Sequence, residues 1–338
     1  MKYIITFFTP MIISLCLVPF VRKLAIKYDI TDKPNERSSH KKTTPIIGGV
    51  AVLISFLVGS IIFSSWIRLY AGLIIGGCIV FIGGFIDDIM ECSPKIKLMF
   101  QTTATLVVIW FGSIDFGLFD SKKGIVLLYT LIISFMWIIG ITNAINLLDG
   151  LDGLSSGYSI ITLLFNAIIA HHLGNFELMF ISLILAGSIA GFLPFNFHPA
   201  SIFIGDCGAQ LMGFVTAALT FVELNGVFIK NLMPAIILLF IPILDTFSAI
   251  IRRTRNNKKW YAADKGHLHH RLMCIFDQNQ VKAVMVYYAL NIYQGVTAYM
   301  CVVNKMSGAY MIFGMAVIYL VIIVKLHLFS GRACGEIK

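Results

Sequence analysis

Charged residues are scarce in this chain of 338 residues: only 13% are Asp, Glu, Lys or Arg, whereas 58% are hydrophobic and the mean hydropathy is +0.87. A soluble protein of this length would need helices or strands with one polar face, and the long apolar runs here show no such stripe. The scarcity of charge therefore excludes a large soluble domain and is typical of an integral membrane protein.

Cysteine motifs are also missing. The 7 cysteines are odd in number and contain no C-x-x-C pair, which argues against both a disulfide framework and a zinc ribbon. No low-complexity tract, fixed-period repeat or clear small-residue cleavage site is present, so we expect the first apolar run to be retained as a helix.

Apolar stretches recur along the whole chain. A helix that crosses about 30 Å of hydrocarbon needs roughly 20 apolar residues. We predict an all-α, polytopic helix bundle of about eleven transmembrane helices in which residues 1–338 form a single membrane domain. The predicted spans are 3–22, 46–65, 69–86, 97–114, 124–143, 154–171, 176–195, 207–223, 231–250, 281–301 and 307–327.

The distribution of Lys and Arg predicts an orientation, because short basic loops stay on the cytoplasmic side. With the N-terminus outside, most of the 26 Lys and Arg fall in inner segments at 22–42, 95–97, 252–282 and the C-terminus. We therefore predict a multi-pass protein of the plasma (inner) membrane. The net charge of +9 follows this topology and forms no basic patch with interleaved aromatic residues, so no nucleic-acid partner is expected.

Acidic residues stand at the inner ends of predicted spans, next to glycines. Asp87 and Asp88 are adjacent, and two neighbouring carboxylates need water, a cation or a hydrogen-bond donor to remain ionised. A hard divalent cation, or a phosphate held by one, would relieve their repulsion; the alternative is a helix end that simply reaches water. Asp206 lies just before an apolar segment, so we expect its carboxylate at the mouth of the bundle.

A polar stripe follows the fifth predicted span. The spacing of three between Asn143, Asn146, Asp149 and Asp152 places them on one face if the stretch is helical. Amide and carboxylate oxygens can coordinate Mg²⁺ or accept from a nucleobase edge. A merely polar turn is the alternative.

The last inner loop contains three histidines within four residues, His267, His269 and His270, followed by Arg271. Zinc would need further ligands at structural-site spacing, and none is present. Histidine and arginine donors directed at phosphate or sugar hydroxyls fit the basic surroundings better.

Together these motifs resemble the polyprenyl-phosphate N-acetylhexosamine-1-phosphate transferases, over nearly the whole chain and in the same order. The resemblance implies a Mg²⁺-dependent enzyme, in which Mn²⁺ could substitute, that joins a UDP-amino sugar to undecaprenyl phosphate at the cytoplasmic face and releases UMP. The motifs are Asp32-x-Pro34-x-x-Arg37-x-x-His40, Asp87-Asp88, Asn143-x-x-Asn146-x-x-Asp149-Gly150-x-Asp152-Gly153-Leu154, Phe203-x-Gly205-Asp206 and His267-x-His269-His270.

The same resemblance implies roles for individual residues. Asp206 is the expected metal ligand with Asn146 as a second, and Asp87 and Asp88 are expected to orient or deprotonate the lipid phosphate. Lys97 would hold a phosphate. The remaining expected substrate-binding residues are Asp149, Asp152, Asn196 and Phe203 on the nucleotide side, and His267, His269, His270 and Arg271 towards the sugar and diphosphate.

The histidine motif is similar to the branch that uses UDP-N-acetylglucosamine to begin teichoic acid, enterobacterial common antigen or O-antigen synthesis. The related branch that acts on UDP-N-acetylmuramoyl-pentapeptide has three consecutive histidines, a run that Leu268 interrupts here. That substrate and a UDP-N-acetylated deoxysugar stay open as alternatives. Glu91 also departs from the family's Asp-Asp-x-x-Asp pattern, at a position expected to be a supporting one.

Two further hypotheses follow. We predict one direct displacement, because a lipid phosphate is already an anionic nucleophile, with a two-step route through Asp87 or Asp88 as the rival. A secondary transporter is the alternative class, but transporters place ionisable residues near the bilayer midplane. The Gly72-x-x-x-Gly76 pattern permits close helix packing, which leaves a homodimer open.

Overall fold

A computed structural model describes residues 2–32, 43–63, 67–111, 124–221, 228–257, 259 and 266–329. Over these ranges the chain is almost entirely α-helical, as predicted. Two short strands, β1 (Thr31–Asp32) and β2 (Thr44–Pro45), pair antiparallel. The helices are α1 (Lys2–Lys27), α2 (Gly49–Ile62), α3 (Ile67–Met90), α4 (Pro94–Trp110), α5 (Gly124–Leu148), α6 (Leu154–His172), α7 (Phe176–Asn196), α8 (Gly205–Thr220), α9 (Phe228–Leu238), α10 (Phe240–Arg255), α11 (Leu268–Ile275), α12 (Gln280–Val303) and α13 (Lys305–Lys325).

Helices occupy all of the predicted spans, but they differ in their capacity to cross a bilayer. Among the described residues, 6 helical segments are long and apolar enough to do so, or up to 7 if α9 and α10 form one bent span. The protein is therefore a polytopic helical membrane protein. The number of eleven spans and the orientation stay predictions. The 6 segments are α1, Tyr70–Met90 of α3, Leu131–Leu148 of α5, α6, α7 and α13.

The predicted span over 231–250 consists of two helices joined at a bend. The chain bends by 74° between α9 and α10, at Leu239. Pro242 has no backbone N–H, so it cannot bond the carbonyl of Leu238 four residues earlier, and its ring would also collide with that carbonyl in a continuous helix. Within the first turn of a new helix, a proline is tolerated. The sequence thus favours a second helix that starts at Phe240.

The predicted polar stripe also needs correction. Asn143 and Asn146 do lie on α5, but this helix ends at Leu148, and Asp149 and Asp152 belong to the turn that leads into α6. Gly153 ends this turn with a φ of +76°, which a residue with a side chain rarely adopts. The basic loop with Pro34, Arg37 and His40 lies outside the described residues.

Two apolar cores build the bundle. The first is formed mainly by α1–α4, α7 and α8, and includes Phe56 and Phe192. The second is formed by α5, α6 and α9–α13, and includes Tyr158 and Tyr287. Helix α8 is buried from Cys207 to Thr220, packed by α2, α3, α5 and α6, so it lies at the centre of the bundle. Its N-terminus carries Asp206.

Candidate active site

A cavity of about 530 Å³ opens at this N-terminus of α8. The predicted site residues Asn196, Phe203, His269 and His270 contribute to its wall. Among the residues that the structure describes, six acidic side chains line the cavity: Asp32, Asp88, Glu91, Asp149, Asp152 and Asp206. Such a concentration of carboxylates is unstable unless cations or hydrogen-bond donors compensate it.

One lysine joins two of the predicted catalytic carboxylates beside this cavity. The Nζ atom of Lys97, at the start of α4, lies 2.7 Å from Oδ2 of Asp206 and 2.5 Å from Oδ2 of Asp87. The other oxygen of Asp87 accepts the backbone N–H of Cys92 at 2.7 Å. Helices α3, α4 and α8 therefore converge on a carboxylate–ammonium–carboxylate cluster.

Asn146 completes the hydrogen bonding of Asp206. Its Nδ2 atom donates to Oδ1 of Asp206 at 2.7 Å, so both oxygens of this carboxylate have donors. Asn146 offers its nitrogen, not its oxygen, to Asp206. Its amide would have to turn over to serve as the predicted second metal ligand.

A second layer of amides lies one helical turn deeper, and sequence reasoning missed two of its members. The Nδ2 atom of Asn143 donates to Oε1 of Gln101 at 2.8 Å, and Nε2 of Gln101 lies 3.4 Å from Oε1 of Gln210. Gln101 follows Lys97 by four residues and Gln210 follows Asp206 by four. This helical spacing from a charged site residue was the signal available in the sequence.

The side chain of Asp88 bonds backbone N–H groups in the first turn of α8. Its Oδ1 and Oδ2 atoms accept the N–H groups of Asp206 and Cys207 at 2.7 and 3.0 Å. A carboxylate at a helix N-terminus pairs with unbonded amides and with the positive end of the helix dipole. The backbone of Gly205 has a φ of +74°, and a Cβ there would lie 2.7 Å from Asp88. Asp88 thus positions Asp206, although it also lines the cavity.

The turn after α5 also lines the cavity. Ser155 donates its hydroxyl to Asp149 at 2.5 Å, and burial raises the pKa of Asp149 to about 7. Asp152 accepts from Nδ1 of His198 at 2.7 Å and from the N–H of Ala200 at 3.1 Å. These bonds fasten the loop that precedes α8 to the turn that precedes α6.

Asn196 and Phe203 flank that same loop. The Oδ1 atom of Asn196 accepts from Ser156 at 2.9 Å, and its Nδ2 atom donates to the carbonyl of Ile202 at 3.3 Å. The backbone of Phe203 bonds to Pro45 on one side and to Gly48 on the other, at 2.7 and 2.9 Å. Both residues are thereby fixed at the edge of the cavity.

Asp245 anchors the histidine cluster, and the site predictions did not include it. Only 3% of this residue is exposed, and its two oxygens receive Nδ1 of His267 at 3.0 Å and the N–H of Leu268 at 2.8 Å. The carboxylate therefore caps α11 and orients the ring of His267. A single acid on an apolar helix seven residues before Arg252 was the only sequence signal.

His269 is the most deeply placed histidine of the cavity wall. Its ring stacks on His267 at 5.7 Å between centroids and lies 4.2 Å from the ring of His270. Burial lowers the pKa of His269 to about 3, so it is neutral at physiological pH. A Cβ on Gly150 would lie 2.4 Å from Nε2 of His269, which explains the glycine. In the described part of the chain, Nδ1 of His269 has no hydrogen-bond partner.

Arg271 lies behind the histidines and does not line the cavity as the structure describes it. Its guanidinium donates to the carbonyls of Gly266 at 2.9 Å and Leu326 at 2.5 Å, and 2% of the residue is exposed. Arg252 bonds Ser248 and the carbonyl of Leu328. These two arginines join α10 and α11 to the end of α13.

The donor set suits a hard cation that is held mainly by substrate. Within the described ranges, no three His, Cys, Asp or Glu side chains are grouped to bind a metal by themselves. Mg²⁺ is commonly held by one or two carboxylates, with waters and substrate phosphates as its other ligands. Asp206, which lines the cavity, fits that arrangement.

Comparison with known proteins is consistent with this geometry. The profile of the family described as glycosyl transferase family 4 matches residues 70–223, a range that includes Asp87, Lys97, Asn146 and Asp206. A Bacillus subtilis (strain 168) protein named probable undecaprenyl-phosphate N-acetylglucosaminyl 1-phosphate transferase is 33% identical over 85% of this chain and 81% of its own length.

Two other relatives are similarly close. The decaprenyl-phosphate N-acetylglucosaminephosphotransferase of Mycolicibacterium smegmatis is 30% identical, covering 82% of this chain and 77% of the relative. The phospho-N-acetylmuramoyl-pentapeptide-transferase of Halalkalibacterium halodurans is 31% identical, covering 80% and 87%.

The fold and the cavity define a polytopic helical membrane protein with an acidic pocket at the end of its central helix. The chain belongs to glycosyl transferase family 4.

Proposed function

We propose that this protein transfers N-acetylglucosamine 1-phosphate from UDP-N-acetylglucosamine to undecaprenyl phosphate, with release of UMP, as the first step of a cell-envelope glycopolymer. Mg²⁺ is the proposed cofactor and Mn²⁺ a substitute. The observation that carries the proposal is the cluster of Asp87, Lys97 and Asp206 beside a cavity of about 530 Å³, large enough for a sugar nucleotide. The relatives named above support the substrate classes.

Different residues have different roles in binding the two anionic substrates, the UDP-sugar and undecaprenyl phosphate. Asp206 would hold the metal, which supplies charge neutralisation at the diphosphate when it is bound. Lys97 places a positive charge where phosphate oxygens would otherwise meet only Asp87 and Asp206. Asp88 and Asn146 keep the Asp206 carboxylate in place through its backbone and its side chain.

The nucleotide and the sugar would contact different residues of the cavity lining. Asp149, Asp152, Asn196 and Phe203 belong to the turn before α6 and the loop before α8, and we assign them to the nucleotide. His269 and His270, presented by α11, are assigned to the sugar and diphosphate. His267 and Arg271 support α11 through Asp245 and Leu326.

The proposed reaction is a single in-line displacement. An oxygen of the lipid phosphate attacks the phosphorus attached to the sugar, the bond from this phosphorus to the bridging oxygen breaks, and UMP departs with that oxygen. Asp87, near the end of α3, forms an ion pair with Lys97, so it is the candidate to orient the incoming phosphate. Phosphoryl transfer of this kind needs positioning and charge neutralisation more than covalent chemistry.

We place the cavity on the cytoplasmic face of an eleven-span bundle whose N-terminus is outside. The distribution of Lys and Arg supports this orientation, because the basic segments adjoin the ends of the predicted spans that carry the acidic motifs. The α9–α10 pair then counts as one bent span. A cysteine introduced at Asp152 that reacts with a membrane-impermeant thiol reagent added to the outer side would contradict this orientation.

The sugar is the least constrained element of the proposal. Leu268, which interrupts the histidine run, is 1% exposed and packs in the second core, so its side chain does not contact the substrate. UDP-N-acetylmuramoyl-pentapeptide remains the second candidate, because a relative with 31% identity is named for that reaction.

Product analysis tests the proposal. Purified protein, Mg²⁺, undecaprenyl phosphate and one UDP-sugar at a time should release UMP and form a lipid diphosphate sugar only with UDP-N-acetylglucosamine. Chelation of Mg²⁺ by EDTA should stop the reaction, and Asp206→Asn should be inactive although it remains inserted and folded. Turnover of the muramoyl-pentapeptide nucleotide instead, or full activity in Asp206→Asn, would refute the assignment.

A further inference from the structure

The bend between α9 and α10 leaves one buried carbonyl without its helical donor. Leu238, the last residue of α9, would normally bond the N–H of residue 242, but Pro242 has none. Leu238 is 1% exposed, so water cannot replace that donor easily. An unpaired buried carbonyl is costly, and native structures almost always provide it with a partner.

The hydroxyl of Tyr158 provides this partner. It lies 2.8 Å from the carbonyl oxygen of Leu238 and 3.2 Å from Oε1 of Gln294, and its single proton serves mainly the nearer acceptor. Gln294 in turn donates through Nε2 to the hydroxyl of Tyr319 at 2.9 Å. Tyr158 and Gln294 are fully buried, and Tyr319 is 2% exposed. Helices α6, α12 and α13 are thus linked to the end of α9.

Tyr319 also contacts the other side of the bend. Its ring meets that of Phe240, the first residue of α10, edge-on with 4.7 Å between centroids. The three hydroxyl and amide groups therefore surround the point at which α10 leaves α9. We call Tyr158, Gln294 and Tyr319 the joint triad.

The direction of α10 matters because this helix carries Asp245. The carboxylate of Asp245 binds both His267 and the first amide of α11, and α11 presents His269 and His270 to the cavity. Helices α10 and α11 pack in the second core, whereas Lys97 and Asp206 lie on α4 and α8. A rotation of α10 at the bend would therefore move the histidines relative to the carboxylate cluster.

We propose that Tyr158 is a positioning residue for the transfer reaction: its hydroxyl replaces the donor missing at Pro242 and so fixes α10, Asp245 and the histidine wall of the cavity. The inference depends on the proposed function in assigning that wall to the UDP-sugar. Tyr158 touches no substrate in this scheme. A change at Tyr158 should consequently weaken the binding of the UDP-sugar and leave the binding of undecaprenyl phosphate unchanged.

The chain contains a matched control for this hydroxyl. Tyr287 lies on α12 in the same core, is fully buried like Tyr158, and its hydroxyl has no partner within the described residues. Replacement of either tyrosine by phenylalanine removes one buried oxygen atom and keeps the ring. Only the Tyr158 change leaves a carbonyl unpaired.

The experiment compares Tyr158→Phe, Tyr287→Phe and the wild type, purified in detergent. In steady-state assays with UDP-N-acetylglucosamine, Mg²⁺ and undecaprenyl phosphate, Tyr158→Phe should raise the KM for the UDP-sugar about tenfold, the effect of one unpaired buried acceptor. Its KM for undecaprenyl phosphate should stay within about twofold, and Tyr287→Phe should match the wild type in both. Equal behaviour of the two variants, or a fall in kcat with both KM values unchanged, overturns the proposal.

Thermal unfolding separates this inference from the proposed function. Tyr158→Phe should lower the melting midpoint by roughly 3 °C relative to Tyr287→Phe, whatever the substrate is. A wild type that melts normally but transfers no sugar phosphate would defeat the proposed function alone. Equal midpoints with an active wild type would defeat the joint triad alone.

Tyr319→Phe tests the triad if Tyr158→Phe is not recovered folded. This change keeps the contact with Phe240 and removes only the group that receives Gln294. We expect a smaller rise in the UDP-sugar KM, about threefold, in the same direction. No rise in this variant would count against the triad.

Discussion

The side chain of Asp88 bonds the backbone of Asp206 and not its side chain. The carboxylate of Asp88, near the end of α3, accepts the amides of Asp206 and Cys207 at 2.7 and 3.0 Å. The side chain of Asp206 is thereby free to face Lys97, Asn146 and the cavity. Of two adjacent aspartates, Asp87 pairs with the lysine and Asp88 with the helix, so the pair has two different roles.

Asp88→Asn should raise the Mg²⁺ concentration that the reaction needs and leave the protein folded. An asparagine accepts through one oxygen only, so one of the two amides of α8 loses its partner and the Asp206 turn loosens. We expect the Mg²⁺ concentration needed for half-maximal activity to rise about tenfold or more, since bonds to a charged acceptor are worth about 1.5–3 kcal/mol. Titration of activity with Mg²⁺ measures it.

Glu91→Gln is the matched control, because it makes the same acid-to-amide change on an exposed residue of the same cavity. Its Mg²⁺ requirement should stay within about twofold of the wild type, as expected for a supporting position. An unchanged Mg²⁺ titration in Asp88→Asn would show that the contact with α8 is dispensable.

Asp245→Asn should separate the two substrates kinetically. The amide has only one accepting oxygen, so either His267 or the N–H of Leu268 loses its partner, and an unpaired buried donor is costly. We expect about a tenfold rise in the UDP-sugar KM with little change for undecaprenyl phosphate. Asp277→Asn, an exposed acid just after α11, serves as the control. Equal changes for both substrates would mean that Asp245 has only a general structural role.

His269 should make the protein less stable in acid. Burial lowers its pKa from 6.5 to about 3, so the unfolded chain binds a proton below pH 6.5 that the folded protein does not. Stability therefore falls as the pH drops from 6.5 towards 3, by about 1 kcal/mol per pH unit.

Melting curves at pH 7.0, 6.0 and 5.0 measure this effect. His269→Asn should lose less stability on acidification than the wild type, whereas His172→Gln, at the exposed end of α6, should follow the wild type. Parallel curves for wild type and His269→Asn would mean that His269 can be protonated in the folded state.

Isotope exchange distinguishes the direct reaction from the two-step route. If Asp87 or Asp88 formed a covalent intermediate, enzyme with Mg²⁺, UDP-sugar and labelled UMP would move label into UDP-sugar without any lipid. Both oxygens of Asp88 already accept backbone amides, which makes this carboxylate a poor nucleophile. We therefore expect no exchange until undecaprenyl phosphate is added, and lipid-independent exchange would establish the two-step route.

Local patterns in the sequence indicated several carboxylates and histidines that the structure places at or beside the cavity. Asp206, next to Gly205 at the start of an apolar segment, and Asp87, at the end of another, were recognisable because a bilayer does not tolerate charge without a reason. The folded chain brings both to Lys97. Gln101 and Asp245 were missed because their signals were weak: a four-residue spacing from Lys97 for Gln101, and a single acid on an apolar helix for Asp245.

Backbone geometry gave two predicted segments a shape that the sequence pattern did not indicate. The stripe from Asn143 to Asp152 assumed that the helix continues, but Gly150 and Gly153 favour a turn. The predicted span over 231–250 did not include the bend between α9 and α10. Pro242 lies in the first turn of α10, and the hydroxyl of Tyr158 bonds the carbonyl of Leu238 that Pro242 leaves without its helical donor.

The sequence by itself determined that this is a helical membrane protein with clustered acids and histidines, since apolar length and the cost of charge in lipid are properties of short segments. Tertiary structure alone decided which carboxylate faces Lys97, which one caps α8 and which one holds His267. Those assignments depend on angles between helices that are far apart in the chain, and packing of the two cores sets these angles.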